Sequence, residues 1–126
     1  IADMGVGIRK SLESAETPDV RAQVKTANAC ELATEYGVTS KPSSHAGYGL
    51  ALARELLKRN EGVLIVCSNQ EWIRVDGQSR QTGRSGVNWD GTLVICEFNT
   101  NRQVRAADVY SQWPQVRGYQ DDDFDF

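Results

Sequence analysis

Apolar and polar positions change their rhythm along the chain, and the rhythm predicts the elements. Residues 1 to 8, IADMGVGI, read as a strand end entering a glycine-punctuated turn. Residues 9 to 15 suit a short helix that stops before Thr17-Pro18. Thr17 or Pro18 then opens a second helix, with Asp19 in the first turn where the helix dipole favours an anion. From Val20 to Glu35 the positions Val20, Val24, Ala27 and Leu32, with the small Ala29 and Ala33, fit a weakly amphipathic continuation of that helix, ended by Tyr36-Gly37. Residues 38 to 47, VTSKPSSHAG, are small, polar and proline-bearing and predict a mobile loop. The clearest helix spans 48 to 60, where Leu50, Ala53 and Leu57 form a stripe, Glu55 and Arg59 stand four apart, and Gly62 is the expected breaker. Val63 to Cys67 predicts a strand buried on both faces, Ser68-Asn69-Gln70 a turn, and Trp72 to Val75 a half-exposed strand ending at the turn Asp76-Gly77. The glycine-bearing polar stretch 77 to 90 predicts a loop, and Leu93 to Phe98 a last strand. Helices early and hairpins late predict an α+β fold: a two-layer sandwich with helices on one face of a mixed, mostly antiparallel sheet.

Composition narrows the class. The chain has 126 residues, 40% hydrophobic and 25% charged, which are values of one globular domain. Its longest wholly apolar run is Val63 to Cys67, against the roughly 20 residues of a membrane helix. No basic segment followed by an apolar one marks a signal peptide, so a cytoplasmic setting is expected. The net charge of −3 is unevenly spread: Asp121, Asp122, Asp123 and Asp125 are four of the 17 acidic residues, and without them 13 acidic face 14 basic groups, or +1. No basic stripe stands out, which argues against a nucleic-acid partner. Cys30, Cys67 and Cys96 are odd in number, form no CxxC and are joined by a single His, which argues against a disulfide framework or a zinc site and for inert buried thiols. Residues 1–101 are expected to form the domain, and 102–126 a polar extension with the acidic-aromatic tail YQDDDFDF, whose Phe124 and Phe126 interleave with charge and suit docking on a protein partner.

Three glycine features occur in fixed order: Asp3-Met4-Gly5-Val6-Gly7, then Gly47-Tyr48-Gly49-Leu50 at the start of the strong helix, then Gly91-Thr92 before the last strand. The second has a mechanism of its own, because glycines at a helix N-terminus let phosphates approach free backbone N–H groups.

Together these residues resemble the GHKL nucleotide-binding family of gyrase, heat-shock chaperone, histidine kinase and mismatch-repair ATPases, built on the Bergerat fold. Asp3 to Gly7 resembles its DxGxG box. The stretch GYGLALARELLKRNEGVLIVCSN, 47 to 69, resembles its second glycine box with the helix and strand that follow, and Gly91-Thr92 its last-strand GT. The likeness is nearest to bacterial regulatory members, kinase-like or anti-sigma-like. It implies that Asp3 accepts a hydrogen bond from an adenine amino group and that Gly5 and Gly7 turn the backbone around base and ribose. It also implies that Thr92 binds beside Asp3, that Gly47, Gly49 and Leu50 place N–H groups on the phosphates, and that 38–47 forms a lid. Lys41 and His45 are the lid's candidates for phosphate contact. ATP with Mg²⁺ is the implied cofactor pair, and a protein partner or a second copy the implied assembly.

The likeness fails at one element. The family's N-box helix, whose Asn ligates Mg²⁺ and whose Glu activates water, belongs before the first glycine box, where only Ile1 and Ala2 stand. With Met4 the only methionine, this reading expects a piece of a longer protein and no metal ligand in the chain. Asn28, in TANACELA, resembles an N-box residue in the wrong order and is expected on the polar face of a helix. Enzymatic activity therefore stays open. The rival readings are a protein-interaction module on the same fold with little nucleotide binding, and an unrelated α+β domain with coincidental glycines.

Overall fold

The computed structural model describes residues 1–44 and 46–114, so His45 and the acidic tail lie outside the described residues. The elements run β1 (Ala2–Asp3), α1 (Ile8–Glu13), α2 (Pro18–Val24), α3 (Ala29–Ala33), α4 (Gly49–Asn60), β2 (Val63–Asp76), β3 (Ser79–Glu97) and α5 (Ala106–Tyr110). The fold is α+β, with an open antiparallel sheet in the order β1-β3-β2. Among the described residues no helix is long and apolar enough to cross a membrane.

Two linked clusters form the core. Leu12, Ala15, Val20, Val24, Ala29 and Leu32 join α1, α2 and α3. Leu64, Val66, Ile73 and Val75 of β2 meet Cys30 of α3 and Leu57 of α4. Burying the Leu57 side chain is worth about 2 kcal/mol, and its loss would leave a cavity beneath α4.

Four expectations change. The helix expected from Val20 to Glu35 is two helices, because Asn28 leaves helical geometry (φ −66°, ψ 124°) and caps α3 by accepting the Glu31 N–H at 3.1 Å. The Ala29 N–H, the next orphan donor, goes to Glu71 Oε1 at 3.1 Å. The turn expected at Ser68-Asn69-Gln70 is an irregularity inside one long strand: Asn69 sits at φ 54° and the pairing runs from Ser68↔Thr92 through Asn69↔Trp89 to Glu71↔Arg84, so three steps along β2 face eight along β3. The odd step from Ser68 to Glu71 shifts the two-residue period, so the buried set passes from Leu64, Val66 and Ser68 to Glu71, Ile73 and Val75. The loop expected over 77–90 is largely strand, since β3 begins at Ser79. Its polar residues reflect exposure rather than irregularity. Finally, α4 is ended by Glu61 in the left-handed region (φ 56°), not by Gly62. Gly62 serves a close approach: a Cβ there would lie 2.2 Å from the Glu97 carbonyl oxygen.

The chain after β3 is tied back to α4. Asn60, 1% exposed, accepts the Asn99 N–H at 2.6 Å and donates to the Asn99 and Arg102 carbonyls at 3.0 and 2.7 Å. Arg59, expected to pair with Glu55, instead donates to Gln112 Oε1 at 2.6 Å, and Glu55 pairs with Lys58. Val109 of α5 is buried, so part of the expected polar extension packs on the domain.

Candidate functional site

A cavity of about 390 Å³ opens between the β1–α1 turn, the end of α3, the start of α4 and the middle of β3. Its size lies in the range of small-molecule sites. Asp3, Gly5, Gly7, Gly47, Gly49, Leu50 and Thr92 all line it. Three separate stretches of sequence thus meet at one place. Lys41 is exposed and does not line the cavity, and His45 lies outside the described residues.

The Asp3 wall is built by backbone constraints. Asp3 pairs with Thr92 across β1 and β3, which sets the carboxylate and the hydroxyl on neighbouring strands. Gly91 makes that approach feasible, since it sits at φ 94° and a Cβ there would lie 2.1 Å from the Asp3 carbonyl oxygen. Asp3 Oδ1 accepts the Gly5 N–H at 2.8 Å and fixes the turn into α1. Gly7, at φ 87°, passes so close to Asn69 that a Cβ would overlap its side-chain oxygen. The irregular residue of β2 thereby seats the first glycine box.

Ser68 is the hinge of the hydroxyl network. It accepts the Ile8 N–H at 2.8 Å, donates to the Gly91 carbonyl at 2.8 Å and lies 3.2 Å from Thr92 Oγ1. With its single proton on Gly91, Thr92 is the donor between the two hydroxyls. The Thr92 lone pairs and the Asp3 carboxylate then present an acceptor-rich edge, suited to a ligand edge that donates, such as an exocyclic amine.

The opposite wall is formed by α4 and the loop before it. Gly47 (φ 74°) pinches against the Val38 carbonyl, only 2.6 Å from a Cβ position, which draws the loop ends together. Gly49 meets nothing within 4 Å at its Cβ position, and α4 has neither a side-chain cap nor an acidic residue in its first turn. Such a terminus keeps its dipole available to an anion. Val6, Ile8, Leu12, Ala33 and Val38 add an apolar lining. The expected mobile loop is anchored: Ser40 accepts the Glu16 N–H through its carbonyl at 2.9 Å, and Ser43 Oγ donates to Glu16 Oε1 at 2.8 Å.

Sequence reasoning missed the ion pair beneath the site. Arg9 donates to Glu71 through Nε and Nη2, both at 2.7 Å, and to the Val24 and Ala27 carbonyls at 2.7 and 2.9 Å. Burial by itself pushes the Glu71 carboxyl up. The bonds from Arg9 and the Ala29 N–H, with the charges of Arg9 and Arg84, outweigh it and hold the carboxyl below its ordinary value. The Glu71 bonds likewise raise the Arg9 guanidinium. This pair fixes α1 and α3 on β2 without lining the cavity. Its signal, a Glu at an inward strand position, was hidden by the shift in period at Asn69.

Among the described residues no three His, Cys, Asp or Glu side chains converge, and Asp3 is the one charged side chain lining the cavity. Asn28, the N-box look-alike, uses its amide on the Gly83 and Trp72 carbonyls, at 3.2 and 3.5 Å, and stands apart from the cavity. Burial, with the Glu71 charge, pushes the Cys30 thiol up to about 12, and burial raises Cys67. Cys96, expected inert on a buried strand, is exposed. No known protein family, curated protein or solved structure matches the chain.

Proposed function

We propose that this chain is a GHKL-type ATP-binding domain of a bacterial signalling or regulatory protein, working in the cytoplasm. One observation carries the reading: seven residues nominated from three distant glycine features line one cavity of nucleotide-accommodating size. In this reading the adenine amino group donates to Asp3, and Thr92 supplies a second acceptor. The phosphates run toward Gly47, Gly49 and Leu50, where the uncapped start of α4 offers backbone N–H groups and its dipole. The finer architecture belongs to the same proposal, a two-layer sandwich with α3 and α4 over one sheet face. Its support is the buried alternation of β2 against Cys30 and Leu57. A protein partner or a second copy completes the proposed assembly, with neither nucleic acid nor membrane engaged.

Among the described residues no three His, Cys, Asp or Glu side chains form a metal cluster, and no phosphoryl-transfer step is assigned to them. The second reading is a protein-interaction module on this fold with weak nucleotide binding.

Calorimetric titration with ATP, with and without Mg²⁺, tests both. The expected result is micromolar binding that Asp3→Asn weakens about tenfold or more, through loss of a charged hydrogen bond. GTP should bind less well, because guanine places an acceptor oxygen where Asp3 seeks a donor. Absence of ATP binding under both conditions would sink the nucleotide reading and leave the interaction module.

A further inference from the structure

The cavity is joined to the far end of the described chain by an aromatic cluster. Tyr36 follows α3 and Tyr48 precedes α4, so they bracket the loop that walls the cavity. Their rings stack at 4.8 Å with an interplanar angle of 12°. Trp113, beyond α5, contacts both: edge-on to Tyr36 at 4.8 Å and tilted to Tyr48 at 5.7 Å. Tyr36 also donates its hydroxyl to the Pro114 carbonyl at 3.0 Å. Each tyrosine adjoins a glycine of positive φ, Gly37 and Gly47, both at 74°. Tyr48 itself stands between the cavity residues Gly47 and Gly49.

We infer that the C-terminal segment sets the cavity through Trp113, which clasps both ends of its loop wall, so that docking of α5 and occupancy of the cavity favour each other. Glycines of positive φ give the loop ends little stiffness of their own. The stacked tyrosines close the ends, and Trp113 holds the stack. The segment bearing Trp113 is itself pinned to α4 by the Gln112–Arg59 and Asn60–Arg102 hydrogen bonds. Release of that segment removes two ring contacts from the stack and frees Gly47 and Gly49 together. By reciprocity, a ligand that requires the ordered wall strengthens α5 docking by the same factor.

Amide hydrogen exchange on the full chain tests this without any ligand. In Trp113→Ala the amides of 37–38 and 47–51 should exchange about tenfold faster. Those of 64–66 in β2 should be unchanged, and Trp113→Phe should keep most of the protection. Unchanged exchange at the loop ends, or equal acceleration in β2, overturns the inference. The second arm rests on the nucleotide reading and uses ATP as the probe. Bound ATP should protect 107–110, and Trp113→Ala should weaken ATP by a similar factor. ATP bound equally by variant and wild type overturns the coupling. If the wild type binds no ATP, the nucleotide reading fails and the exchange arm alone decides the clasp.

Discussion

At the scale of single residues, Glu71 and Arg9 do the most with the least exposure. The Glu71 side chain is 6% exposed and that of Arg9 28%. Together they hold α1, the ends of α2 and α3, and β2. The Glu71 carboxyl lies below its ordinary value of 4.5, so the folded state prefers it ionised. Its contribution is therefore complete above the unfolded value and is lost as pH falls through the folded one. Melting temperature measured from about pH 7 to pH 3 should fall on the acid side, and Glu71→Gln should flatten that fall. At neutral pH the same substitution should cost about 2–4 kcal/mol, because Arg9 loses its two-bond carboxylate partner and keeps only the more distant Glu13 and the Val24 and Ala27 carbonyls. A melting curve of Glu71→Gln that matches the wild type at both ends of the range would contradict this account.

At the scale of elements, the separate identity of α3 rests on its cap. Asn28→Ala should cost about 1–2 kcal/mol in denaturant unfolding. Asn28→Asp should recover the Glu31 N–H bond but not the donations to Gly83 and Trp72, and so only part of the loss. Equal stability of both variants would mean that the cap does not hold the break. The split between α2 and α3 was illegible in the sequence because the second capping oxygen comes from Glu71, far along the chain on β2. Elements specified locally were legible: the Leu50–Leu57 stripe gave α4, and Thr17-Pro18-Asp19 gave the start of α2. The three glycine features were legible for the same reason, since each is a short backbone requirement written in adjacent residues. The polar first half of β3 was not, because a strand exposed on both faces carries no alternation to read. Lys41 was nominated by its place in a likeness, and the loop's anchor on Glu16 leaves it exposed, away from the cavity lining.

At the scale of the whole molecule, three depths of burial are marked by three thiols. A thiol-specific disulfide reagent should modify Cys96 first and Cys67 more slowly, with Cys30 reacting only on unfolding. Cys30 labelling at the rate of Cys96 in native protein would mean that the core between α3, α4 and β2 is open. That core is built on the strand in which Asn69 stands out of step, and Asn69 packs against Gly7 of the cavity wall. The odd step at Asn69 works as a punctuation mark in a two-letter alphabet: before it even positions face inward, after it odd ones do. A loss or gain of one residue there would turn Trp72 and Arg74 toward the helices and Glu71 away from Arg9, with no change in composition. The cavity, on the near side of the mark, is insulated from such changes only while Asn69 keeps the count.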